Sequence, residues 1–183
     1  MTGLLRFEGV SLVRGGRALF EDLDLELRRG DALQITGPNG SGKSSLIRLA
    51  AGLLAPTGGS VQRAPLALAD DHLALDAELP LGRALRFWRA GVDPALDSLG
   101  LAHLTRLPVR LLSSGQAKRA TLARVVASGA SLWLLDEPLN ALDAEGAARL
   151  AEVIDRHRTG GGAVLVASHQ PMPGDWRQLE LGR

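Results

Sequence analysis

Three short stretches of this sequence carry side chains that can act on a phosphate chain. The first is Gly37-Pro38-Asn39-Gly40-Ser41-Gly42-Lys43-Ser44-Ser45, a glycine-rich run ending in a lysine and two hydroxyls. It fits G-x-x-x-x-G-K-[ST] and lies between an apolar strand at Ala32–Thr36 and a helical pattern from Lys43 to about Ala51. Glycines let successive backbone N–H groups turn toward an anion with no Cβ in the way. The helix start adds the positive end of its dipole. Lys43 then reaches the β- and γ-phosphates of a nucleoside triphosphate, and the Ser44 hydroxyl is a ligand for Mg2+.

The second stretch, Leu132-Trp133-Leu134-Leu135-Asp136-Glu137, is an apolar strand that finishes in two acids. Carboxylates at the C-terminal edge of a parallel sheet lie beside the ligand-binding loops. Asp136 is placed to anchor Mg2+. Glu137, on the other side of the pleat, is placed to orient and deprotonate an attacking water. The third, Leu112-Ser113-Ser114-Gly115-Gln116, opens a helix with Ser113 as its cap. Each stretch alone has a plain alternative: a turn holding no ligand, a strand exit, an ordinary helix start. Their order is what separates the readings.

The elements that must position these residues are legible in outline. Leu4, Phe7, Val10 and Leu12, then Leu23, Leu25 and Leu27, alternate about an Arg14-Gly15-Gly16-Arg17 turn and predict an antiparallel pair. From about His72 to Leu112 the character changes, with helices expected near 81–88 and 94–99. A helix follows at 114–128, a buried strand at 131–135, a helix at 144–158, a strand at Ala163–Ala167 and a short last strand at 178–181. Strands alternating with helices predict an α/β fold with a mostly parallel sheet and helices on both faces. The expected organisation is one domain over 1–183, with an antiparallel β subdomain and a helical insert at about 73–128.

Composition narrows the function classes. Twenty-one basic residues against 20 acidic ones give a charge of +1, so no electrostatic footprint for nucleic acid stands out. No cysteine is present, which excludes disulfides, thiolate metal sites and a cysteine nucleophile. No run approaches the roughly 20 apolar residues of a membrane span, and Met1 to Val10 lacks the pattern of a secretory signal. A cytoplasmic protein is expected, with any membrane part supplied by another chain. Lys118 and the arginines along the third helix read as a solvated face. Trp88, Trp133 and Trp176 read as core or interface fillers, and His103 and His157 as surface or capping groups.

Adding Asn140-Ala141-Leu142-Asp143 and Ser168-His169, which follow in order, the set resembles the ATP-binding-cassette (ABC) ATPases over nearly the whole chain. The resemblance implies a P-loop core and an ATP hydrolase using ATP and Mg2+. It also implies a head-to-tail homodimer in which 113–116 of one copy close over the ATP held by the other. By that resemblance Glu137 is the catalytic base, Asp143 belongs to an inter-subunit loop, and His169 contacts the γ-phosphate and holds the water. Three departures stand out. Ser114 replaces a common glycine. His72 aligns with a Mg2+-ligating glutamine, although hard Mg2+ prefers oxygen over imidazole. Arg14 stands where an adenine-stacking aromatic is usual.

Within the family, Arg83-Ala84-Leu85-Arg86-Phe87-Trp88, 108–113, 131–133 and His169-Gln170-Pro171 are similar to the ATP-binding subunits of bacterial haem exporters serving cytochrome c maturation. This implies integral membrane partners at the inner face of the inner membrane and release of a haem-loaded chaperone. Phe87 and Trp88 would help dock a helix of the membrane subunit. Haem binding by this chain is not expected, because its four histidines form no paired-ligand pattern. Two rivals stay open: an ATPase subunit of another exporter, and a nucleotide-sensing module with weak hydrolysis.

Overall fold

The computed structural model describes residues 3–88 and 91–182. The chain opens with β1 (Leu5–Arg14) and β2 (Arg17–Leu27), joined by Gly15 and Gly16 at φ of 56° and 75°. A two-residue hairpin that matches strand twist needs positive φ at both central positions, which glycine adopts without strain. β3 (Ala32–Thr36) and α1 (Lys43–Ala51) follow as expected.

Two strands come next that the sequence pattern did not reveal. β4 (Gly58–Arg63) pairs with the free side of β1, so the expected antiparallel pair is a three-stranded sheet of order β2-β1-β4. Its residues, GGSVQR, include one large apolar side chain and no alternation. β5 (Leu66–Ala69) is four residues long, too short for a periodicity to register.

The helical region holds α2 (Leu81–Arg86), α3 (Val92–Ser98), two single 3-10 turns and α4 (Ser114–Ala127). Then come β6 (Leu132–Asp136), α5 (Ala144–Thr159), β7 (Ala163–Ala167) and β8 (Arg177–Glu180). The second sheet runs β5-β6-β7-β3-β8, all parallel.

This parallel sheet divides two cores, and the pleat assigns residues between them. Leu132, Leu134 and Leu165 face α1 and the antiparallel strands. Trp133, Leu135, Val164 and Val166 face α2 to α5. Leu134 is fully buried; truncating such a leucine to alanine costs about 2–5 kcal/mol through lost transfer energy and a residual cavity. Register brings the working ends together. Ile35 of β3 and Asp136 of β6 both pair with Ala167 of β7. The three strands therefore release their loops at one edge. The phosphate-type loop, the acid pair and Ser168-His169 emerge side by side.

Two expectations about surface groups are corrected. Lys118 and Arg124 are buried, 9% and 8% exposed, and face the sheet rather than solvent. His157 stacks flat on Trp133 with ring centroids 3.7 Å apart, so it belongs to the packing beneath α5. Burial pushes its imidazole below the ordinary value. Among the described residues no helix is long and apolar enough to cross a membrane.

Candidate functional site

The loop from Gly37 to Gly42 is shaped by glycines at φ of 136°, 81° and 105° (Gly37, Gly40 and Gly42). At Gly37 a Cβ would run into the carbonyl of Leu181, just beyond β8, so only glycine fits there. Lys43, 8% exposed, donates to the carbonyls of Gly37 (2.8 Å) and Pro38 (3.0 Å), which lays its ammonium along the inside of the loop. An open cavity of about 230 Å³ sits against the loop, walled by Asn39, Gly40, Lys43, Ser44, Leu19 and Glu137. Arg14 reaches the same rim, with Nη1 3.5 Å from the Ser45 hydroxyl.

Across that cavity the Ser44 hydroxyl donates to Oδ1 of Asp136 at 3.1 Å. Burial pushes the Asp136 carboxyl above its ordinary value. The Ser44 hydrogen bond opposes this, while the charges of Glu137 and Asp71 add to it. Two hard oxygen donors from separate elements, one an incompletely compensated carboxylate, fit Mg2+, which binds through one or two protein oxygens and keeps several waters.

Glu137 lies one residue beyond the strand at a φ of 45°. Left-handed backbone at a non-glycine residue costs of order 1–3 kcal/mol and persists only where its surroundings enforce it. Here the Glu137 N–H donates to the Ala167 carbonyl at 2.8 Å, and the carboxylate meets His169. Oε2 lies 2.8 Å from Nδ1 of His169 and accepts from its backbone N–H at 3.4 Å. The pleat alone sends Glu137 away from Asp136; the twisted backbone brings it to the cavity wall.

The start of α4 is a capping box. Ser113 Oγ accepts from the Gln116 N–H at 3.3 Å, and Gln116 Oε1 accepts from the Ser113 N–H at 2.9 Å. None of residues 113–116 is hydrogen-bonded to the phosphate loop or to the acid pair among the described residues. The segment does touch the loop before α5. A Cβ on Gly115 would stand 2.8 Å from the Ala141 carbonyl, and Asp143 caps α5 by accepting from Gly146 N–H at 2.7 Å.

His72 is not brought to this site. Its ring, 81% exposed, turns to its neighbour Asp70, with Nδ1 3.4 Å from Oδ2. Among the described residues no group of three or more histidine, aspartate or glutamate side chains is arranged as a metal cage. Sequence reasoning missed Lys118, which lies within 3.4 Å of the Asp136 carbonyl and 3.7 Å of Asp71 Oδ1. Its position five residues after the helix cap gave no signal of burial.

A glycine-lined loop between β3 and α1, an acid pair at the end of β6 and a histidine just after β7, the strand between them, define a P-loop nucleotide-binding domain of the ABC ATPase type. The model of the ABC transporter family matches residues 20–140, and the chain belongs to that family. It is 55% identical over 177 residues to the cytochrome c biogenesis ATP-binding export protein CcmA of Sphingopyxis alaskensis, spanning 92% of this chain and 91% of that one. The protein of the same description from Zymomonas mobilis is 48% identical, over 94% of this chain and 81% of that one. Among solved structures, an ABC transporter of metal-chelate type in an inward-facing conformation superposes with a TM-score of 0.83. It shares 27% identity and covers 99% of this chain and 80% of that one. An ABC transporter ATP-binding protein from Pyrococcus furiosus gives 0.84 at 18% identity, over 97% and 96%, a likeness of fold alone.

Proposed function

We propose that this chain is the ATP-hydrolysing subunit of a membrane export complex serving cytochrome c biogenesis. Gly37 to Ser45 hold the triphosphate, with Lys43 turning from the loop carbonyls to the β- and γ-phosphates. Ser44 and Asp136 hold Mg2+, which when bound offsets charge on the phosphate oxygens. Glu137 accepts a proton from water as the water oxygen forms a bond to the γ-phosphorus. The bond from that phosphorus to the bridging β,γ oxygen breaks, giving ADP and phosphate. His169, bonded to Glu137 through Nδ1, fixes the carboxylate and presents its other face toward the phosphate.

The observation that carries this reading is the convergence of Lys43, Ser44 and Glu137 on one cavity wall, with Ser44 tied to Asp136 and Glu137 tied to His169. The similarity to export proteins named for cytochrome c biogenesis supplies the biological setting. In that setting two copies close over ATP, each offering residues 113–116 to the nucleotide of the other. They work at the cytoplasmic face of the inner membrane, bound to integral membrane subunits. Phe87, 81% exposed, with Trp88 against it at a ring-centroid distance of 5.4 Å, is the surface we assign to those subunits.

The test is affinity capture from native membranes using a Glu137→Gln bait, beside phosphate release by the wild type with and without the captured chains. Recovery of cytochrome c assembly membrane proteins together with partner-stimulated phosphate release is expected. Capture of a different transporter's membrane chains would move the protein to another exporter. Absence of phosphate release at saturating ATP with partners present would leave a nucleotide sensor.

A further inference from the structure

α4 is fastened to the parallel sheet by two buried cations, and both contact the β5–β6 side of the site. Arg124 donates from Nη2 to the Leu68 carbonyl of β5 at 2.6 Å and lies 5.1 Å above the Trp88 ring. Lys118 donates from Nζ to the backbone carbonyl of Asp136 at 3.4 Å, with Oδ1 of Asp71 at 3.7 Å. An ammonium has three donors and is poorly tolerated in the interior unless they find partners. Lys118 is 9% exposed and its two contacts are both long.

The charged group facing that ammonium is the Asp71 carboxylate. Lys118 is therefore a buried positive charge at the backbone of the residue read as the metal carboxylate. It also sits four residues after Ser114, on the same face of α4. Its partner Asp71 is 83% exposed and lies in the segment after β5, next to a His72 that turns away to Asp70.

We infer that Lys118 is a positioning residue for the Asp136 end of β6, and that Asp71 is its exposed counter-ion. Through this pair the first turns of α4 and the segment after β5 are coupled to the site that holds Mg2+. The inference rests on the reading of Asp136 as a metal carboxylate. Among the described residues Lys118 touches neither the phosphate loop nor the side chains of Asp136 and Glu137, so its loss should act on the metal-dependent part of nucleotide binding and on turnover. Metal-free binding should be spared.

The experiment compares wild type, Lys118→Met, Lys118→Arg, Asp71→Asn and Ser44→Ala. Affinity for a fluorescent ATP analogue is measured with Mg2+ and with chelator, and phosphate release is followed in parallel. Lys118→Met is expected to keep its chelator-state affinity while losing about tenfold in the gain that Mg2+ confers and in kcat. Lys118→Arg should restore most of both, and Asp71→Asn should show a smaller loss of the same kind. If Lys118→Met is unstable, Asp71→Asn at the exposed carboxylate carries the test. Wild-type behaviour in both variants would overturn the inference. So would an equal loss of affinity with and without Mg2+, which marks a general packing defect. If Ser44→Ala keeps the Mg2+ gain while Lys118→Met loses it, the metal role of Ser44 falls and the Lys118 assignment stands.

Discussion

The edge where β3, β6 and β7 end and the tip of α4 are both lined with polar groups, yet they are wired in opposite ways. At the sheet edge the groups meet across elements: Ser44 with Asp136, Glu137 with His169, Lys43 with its own loop. At the tip of α4 they meet, among the described residues, only themselves, Ser113 with Gln116 in a closed box. The sheet edge is assembled by the fold of one chain. The helix tip is finished locally and turned outward, as a surface meant for something else would be. Chemistry assembled across elements and a helix tip closed on itself make different demands on the same substitution.

Glu137→Gln is the most severe break. It should lower kcat by about 10²–10⁴ while nucleotide binding persists, as phosphate release and fluorescent-nucleotide titration would show. Ser114→Asp attacks the other region. An acid in the first turn favours the helix dipole, so folding should hold and a single copy should bind ATP unchanged. Under the proposed two-copy closure hydrolysis should nonetheless fall by about tenfold or more, since a charge repulsion of about 1.4 kcal/mol against the other copy's triphosphate suffices. Normal turnover in that variant would mean the tip never faces a nucleotide.

Asp136→Asn sharpens the contrast, because its effects on stability and activity have opposite signs. Burial raises the Asp136 pKa in the folded state, so ionisation of this group opposes folding at neutral pH and ceases to matter below the unfolded value. The variant should lose Mg2+-dependent binding while the nucleotide-free protein melts about 2–4 °C higher for each 1 kcal/mol relieved. That gain should shrink as pH falls through the raised pKa toward ordinary carboxylate values. Ser113→Ala is the mildest change: loss of the cap costs about 1 kcal/mol and should lower the melting temperature without touching single-copy nucleotide affinity.

Much of this was legible beforehand, and the exceptions have physical causes. The glycine loop, the acid pair and the Ser113 cap announce themselves because their chemistry is local in sequence. β4 was invisible because a strand paired at one edge can be polar and glycine-rich. β5 was invisible because four residues carry no period. Lys118 and His157 were misplaced for a different reason: each sits on a helix among polar neighbours, and only the packing of α4 and α5 onto the sheet shows which polar residue turns inward. His72 aligned well by order along the chain, but the turn after β5 gave its ring to Asp70. The role of Glu137 was read from the sequence, but the means of placing it was not, because a φ of 45° undoes the pleat that alternation assumes.

The close approach of residue 115 to the carbonyl of residue 141 has a mechanical corollary. A side chain at residue 115 would collide with that carbonyl, so the bare glycine is what lets the turn downstream of Glu137 and the start of α4 lie this close. On the proposed reading, in which 113–116 cover the nucleotide of a second copy, that closeness places the covering segment beside the turn that follows the catalytic base, with no relay through the interior.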